Sequence, residues 1–144
     1  MLVKPENLRG AANICSDSGK RPLAAMFGAD ETLQGGGLAI YCLFYNAEKR
    51  DIDVLKAPFP ADGPLEYQSL TTLLPAAAWY ERELHDMFGF EPQGHPDMRP
   101  LVLHESFPEG FHPLLKNIPR IMMHADIVNT KCLPRRAKAS LRFL

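Results

Sequence analysis

The chain has 144 residues, 46% hydrophobic and 23% charged, with a formal net charge of −1 at pH 7, which describes one globular domain rather than a disordered segment. No apolar run approaches the ~20 residues that span a bilayer, and the opening MLVKPENLRG has no apolar leader core, so a cytoplasmic location is expected. Residues 1–110 hold 9 Lys and Arg against 16 Asp and Glu and residues 111–144 hold 7 against 1, a split that predicts a basic tail facing something acidic.

In chain order, residues 5–14 suggest a short helix broken or capped near Gly10, and DSGK at 17–20 suggests a turn. The run RPLAAMFGADE fits a strand or a helix, because Leu23, Ala24, Ala25 and Met26 suit both. Three consecutive glycines at 35–37 break regular structure. They lack the spacing of a phosphate-cradling loop, and a strand follows them rather than a helix. Leu38–Tyr45 is the clearest strand, and Ile52, Val54 and Leu55 return from the turn at 46–51 as its antiparallel partner. Residues 57–64 carry three Pro and one Gly and read as a surface loop. Leu65–Leu74 is expected to be helical, with Ser69 a possible cap.

The densest stretch is Ala76–Pro100, AAAWYERELHDMFGFEPQGHPDMRP. Pro75 can open a helix and Gly89 can close it. At ~100° per residue, Ala76, Ala77, Tyr80, Leu84, Met87 and Phe88 fall on one apolar arc, and Trp79, Arg82, Glu83, His85 and Asp86 fall on the other. A Trp among charges suits a partner-binding surface; the alternative is that Trp79 covers a loop of its own chain. Arg82 and Asp86 are spaced as an i, i+4 ion pair. Asp97 and Arg99 lie in a loop stiffened by Pro96 and Pro100, where the two can pair internally or present Arg99 to a partner.

Beyond Gly89 the chain is rich in turn formers, interrupted by a strand-like Leu101–Leu103, and a short helix is possible in IMMHADIV before the basic end PRRAKASLRFL. The expected fold is α+β: a small, mainly antiparallel sheet with helices on one face and a long irregular C-terminal arm. Residues 1–117 form the expected domain and 118–144 a basic tail without a core of its own, expected to be flexible.

Catalytic and metal chemistry finds little footing. The five His at 85, 95, 104, 112 and 124 show no i, i+3 or i, i+4 pairing, so a zinc site would need ligands from distant loops. His95 and His112, each before a Pro, are expected to bond loop backbone. Glu81 and Glu83 point about 160° apart on a helix and cannot flank one substrate. Cys15, Cys42 and Cys132 form no C-x-x-C pair, and Cys42 reads as a small core residue. A free-standing enzyme using the His, Glu and Asp of 81–112 remains the rival reading. The basic tail lacks the aromatic interleaving of a nucleic-acid footprint.

The run WYERELHDMFGFEPQGHPDMRPL resembles the signature of the 30-kilodalton subunit family of respiratory complex I (NADH–quinone oxidoreductase), a domain also found in formate-hydrogenlyase-type membrane-bound [NiFe] hydrogenases. The matching residues are Glu81-Arg82-Glu83, Asp86, Gly89, Gly94-His95-Pro96-Asp97 and Arg99, with a weaker likeness from about Gly37 to Asn117. Pro100 stands where the complex I branch typically has a second Arg, and Leu115 and Asn117 stand where it has Arg and Asp. Arg99-Pro100-Leu101, with SFPEGFHPL after it, looks more like the hydrogenase branch. The resemblance implies a non-catalytic scaffold that binds no metal or cofactor itself and sits in a complex at the inner face of the cell membrane. There it would grip the large subunit that hosts a quinone pocket or [NiFe] centre, beside an Fe–S subunit. Its expected partner interface is Trp79, Arg82, Glu83, Asp86, His95, Asp97 and Arg99, with His95 and Asp97 also holding their loop.

Overall fold

The computed structural model describes residues 1–18, 20–60, 63–103, 107, 108 and 110–116. Strands β1 (Leu23–Asp30), β2 (Leu38–Asn46) and β3 (Asp51–Pro58) form an antiparallel meander in that order. Cross-strand rows Met26–Cys42–Leu55 and Gly28–Ile40–Ala57 set the register. Period-two alternation then sends Met26, Ile40, Cys42, Phe44, Leu55 and Ala57 to one buried face, while Phe27, Tyr45, Ile52 and Val54 stay exposed on the other. The ambiguous run RPLAAMFGADE is thus settled as strand by its pairing with β2. The β2–β3 turn is tied by Asn46, whose side-chain carbonyl accepts the N–H groups of Glu48 and Lys49 at 3.2 Å each. The triple glycine is the β1–β2 connector, with Gly35 at φ +79° closing a 3-10 turn over Thr32–Gln34.

Helix α1 (Leu8–Cys15) runs through Gly10 instead of breaking there, and lays Leu8, Ala11 and Ala12 into the core beside β3. Helix α2 (Ala77–Phe88) packs on β1 from the same side, filling the buried face of the sheet. Its contact point is Gly28: a Cβ there would lie 2.7 Å from two Phe88 ring carbons and 2.9 Å from Leu84. Gly89 ends α2 at φ +81°, donating its N–H to the His85 carbonyl at 2.9 Å, the left-handed closure that glycine permits.

The helix expected over Leu65–Leu74 does not form. Glu66–Gln68 is a strand, β4, paired in parallel with β5 (Glu91–Gln93) beyond α2. The pair is fixed by Glu91 N–H to the Leu65 carbonyl and Ser69 N–H to the Gln93 carbonyl, both 2.9 Å. It drops Tyr67 into an aromatic cluster with Phe59 and Phe90. These bonds cross more than twenty residues, so the leucine spacing of 65–74 carries no trace of them. Leu101–Leu103 is likewise irregular, because its N–H groups go to a side chain described below. The fold is α+β, a small antiparallel sheet with two helices on one face plus a two-stranded parallel pair. The expected tail 118–144, including IMMHADIV and Cys132, lies outside the described residues.

Candidate interaction surface

The polar residues of α2 divide by direction. Glu81 points inward and is fully buried. Its Oε2 accepts the hydroxyls of Ser69 and Thr71, and its Oε1 accepts the Leu70 N–H, each at 2.7 Å. Burying a carboxylate is tolerated only with such satisfaction. The result clamps the β4 turn onto the start of α2, with Ser69 Oγ also accepting the Thr71 N–H at 3.1 Å. His95 Nε2 lies 3.8 Å from Glu81 Oε2 and 3.2 Å from the Ala78 carbonyl. Its Nδ1 accepts the Asp97 N–H at 3.0 Å, which assigns the ring hydrogen to Nε2. His95 thereby bonds backbone on both sides, as its place before a Pro led us to expect. From the sequence, Glu81 was weighed as an acid–base candidate and placed in the signature, but given no structural role. A signal existed: it sits in the stripe 77-81-84-88, the apolar seam of the helix.

The i, i+4 pair of Arg82 with Asp86 is not made. Asp86 is buried instead of lying on an open polar arc, and its Oδ2 accepts the N–H groups of Leu101, Val102 and Leu103 at 2.8, 2.7 and 3.1 Å. Arg82 turns the same way: its Nε donates to the Arg99 carbonyl at 2.8 Å and its Nη2 to the Pro100 carbonyl at 3.1 Å. Loop backbone offers both side chains stronger, geometrically fixed partners than a solvated ion pair. Helix and loop are therefore one unit, closed from below by His112 Nδ1 against the Asp86 carbonyl at 3.1 Å and by His85 Nδ1 against the Phe90 carbonyl at 3.0 Å.

What remains outward is Trp79, the far ends of Arg82 and Arg99, and Glu83. Trp79 is 64% exposed, with the Arg82 guanidinium 5.5 Å from its ring centroid. Arg99, 82% exposed, grips Asp97 through Nε at 2.8 Å and Nη2 at 2.6 Å. That side-chain bond, and the Arg99 N–H behind it, hold the Asp97 carboxyl well below the usual carboxylate range. Glu83 stands apart on the β1 side, at the rim of a hollow lined by Met26, Phe27, Gly28, Leu84, Phe88 and Leu114. The structure thus brings Trp79, Arg82, Asp97 and Arg99 together, turns Asp86 and His95 inward beneath them, and sets Glu83 to one side.

Among the described residues no three His, Cys, Asp or Glu side chains converge to hold a metal ion. Cys42 is a core residue whose thiol burial pushes up to about 12. No described helix is long and apolar enough to cross a membrane.

The family model described as "Respiratory-chain NADH dehydrogenase, 30 Kd subunit" matches residues 1–123. Hydrogenase-4 component G of Escherichia coli is 44% identical over 96 residues, covering 66% of this chain and 17% of that protein. Formate hydrogenlyase subunit 5 of the same organism is 38% identical with the same coverage. The C/D subunit of NADH-quinone oxidoreductase of Azotobacter vinelandii is 36% identical over 108 residues, 69% of this chain and 18% of that protein. The chain thus spans less than a fifth of the length of these relatives. Among solved structures, a chain of the membrane-bound sulfane sulfur reductase, an archaeal respiratory membrane complex, matches 99% of this chain and 79% of its own length at TM-score 0.68 and 24% identity. A trypsin-resistant fragment of Nqo5 matches 67% and 79% at TM-score 0.57 and 21% identity. At these identities the likeness shows the shared fold.

Proposed function

Because the chain belongs to the respiratory-chain NADH dehydrogenase 30 kDa subunit family, whose members include subunits of membrane-bound respiratory and hydrogenase complexes, we propose that it is a non-catalytic structural subunit of such a complex. It docks through α2 and the 94–101 loop onto the large subunit, beside the Fe–S subunit, and reaches the inner face of the membrane only through them. The [NiFe], Fe–S or quinone groups belong to those partners. The higher identity to the two hydrogenase proteins favours the hydrogenase branch, as does Pro100 after Arg99.

One observation carries the docking surface: an exposed Trp with an Arg guanidinium over its ring, beside a loop that three buried or half-buried side chains hold to one helix. A rigid, pre-ordered aromatic and arginine patch is the composition of an interface hot spot, and rigidity lowers the ordering cost of association. The test is co-purification of the full chain with a large subunit of this complex family from the same organism. Trp79→Ala is expected to weaken capture by about 2 kcal/mol, roughly thirty-fold in Kd. Wild-type failure to bind that subunit, or turnover by the chain alone, would favour the free-standing enzyme instead.

A further inference from the structure

Arg82 and Arg99 use their guanidinium groups in the same way. Each donates internally through the Nε–Nη2 edge: Arg82 to the carbonyls of Arg99 and Pro100, Arg99 to the two oxygens of Asp97. A guanidinium carries five N–H donors in a planar fork. Each arginine therefore retains its Nη1 end, for which no partner exists among the described residues. The internal bonds fix the planes of both forks before any partner arrives. The Arg82 guanidinium carbon lies 5.5 Å from the centroid of the exposed Trp79 ring. The acidic groups of this region are already committed or averted: Glu81 and Asp86 are buried beneath α2, Asp97 is held on Arg99, and Glu83 lies at the β1 hollow.

We propose that the Nη1 ends of Arg82 and Arg99 form a receptor for a carboxylate side chain, Asp or Glu, of the partner subunit, seated against Trp79. The inference rests on the docking reading above and names the chemistry of its occupant. Charge complementarity selects the occupant: two guanidinium groups that keep Nη1 donors beside an aromatic ring call for an anionic acceptor with two oxygens, which a carboxylate is. A purely apolar patch would bury both Nη1 ends without an acceptor.

The chain's single Trp makes the test local. The full chain carrying 5-fluorotryptophan is titrated with unlabelled large subunit, and the fluorine resonance of Trp79 is followed at several salt concentrations. Arg99→Met is the decisive variant, because among the described residues the Arg99 side chain hydrogen-bonds Asp97 alone and the loop stays tied by Arg82, Asp86 and His95. Arg82→Met serves as the second, and circular dichroism checks that both fold. The expected result is a shifted Trp79 resonance in the complex, Kd weakened at least about ten-fold by Arg99→Met, and a shallower salt dependence in that variant. Wild-type affinity and salt slope in Arg99→Met, with the Trp79 resonance shifted, overturns the carboxylate receptor while leaving the docking reading intact. Complex formation with an unmoved Trp79 resonance overturns the receptor and the docking surface drawn around Trp79 together. Absence of any complex with the wild-type chain overturns both.

Discussion

Glu81→Ala removes a fully buried carboxylate. The substitution removes an acceptor for three donors that converge at 2.7 Å each. The Ser69 and Thr71 hydroxyls can rotate toward other acceptors. The Leu70 N–H cannot, since Leu70 is fully buried, and an orphaned amide costs about 1–3 kcal/mol. Lost methylene packing adds about 0.8 kcal/mol per CH₂, and the loss of charge-assisted bonds brings the total to roughly 3–5 kcal/mol. Glu81→Gln keeps the volume and one oxygen for the Leu70 N–H. Its NH₂ must donate where the carboxylate accepted, and both hydroxyls can reverse to meet it, so the expected cost is about 1–2 kcal/mol. The assay is urea unfolding followed by far-ultraviolet circular dichroism. With a slope of about 1.5 kcal/mol per molar, the midpoint should fall by about 2–3 M for Ala and about 1 M for Gln. An Ala variant within about 1 kcal/mol of wild type would refute the clamp. A Gln variant as damaged as Ala would show that charge, and not the count of acceptors, holds the β4 turn.

The remaining predictions concern close approach and charge. Gly28→Ala places a methyl 2.7 Å from the Phe88 ring, and the overpacking should cost about 1–3 kcal/mol in thermal unfolding; a neutral result would mean that α2 does not sit on β1 as described. Gly89→Ala combines φ +81° with a methyl 2.7 Å from His112 Nε2, so it should lose at least about 1–2 kcal/mol, and Gly89→Asn should lose less if the His112 ring can shift. Asp97 has a folded pKa below its unfolded value. Its contribution to loop order is therefore present above about pH 3.9 and fades as pH falls through the folded value. A carbon-13 carboxyl titration should find Asp97 still ionised near pH 3 and returned toward about 3.9 in Arg99→Met; ordinary titration in the wild-type chain would contradict the Asp97–Arg99 pair.

What the sequence made legible was local. The β2–β3 hairpin was readable from alternation and a turn, and α2 from a Pro before it and a Gly after it. Each depends on neighbours a few residues apart. The misread elements depend on partners far along the chain. Leu65–Leu74 looked helical because its leucines suit a helix, while its actual backbone partners are Glu91 and Gln93. Arg82 and Asp86 looked like a pair because the i, i+4 spacing is visible and the loop carbonyls and amides of 99–103 are not. Glu81 was weighed for acid–base chemistry and not as a buried clamp, because carboxylates are seldom fully buried, although its place in the seam between Ala77, Leu84 and Phe88 marked it as inward-facing. For the surface the sequence left two readings of Trp79 open, exposed or covering its own chain, and the structure has it 64% exposed; the same charged arc also included Asp86, which faces in.

This sorting changes what the family-like signature means in this chain. Glu81, Asp86, Gly89 and His95 each have a complete structural occupation: clamp, loop hook, helix stop and backbone bridge. Arg82 and Arg99 differ, since each spends one edge on the scaffold and keeps the other. A residue fully consumed inside fails by destabilising the fold, whereas one that keeps a free edge fails by weakening association. Glu81→Ala and Arg99→Met should therefore separate cleanly: the first lowers stability with or without a partner, and the second leaves unfolding within about 0.5 kcal/mol of wild type while binding suffers. If Arg99→Met unfolded as readily as Glu81→Ala, the division of the signature into scaffold and surface would be wrong.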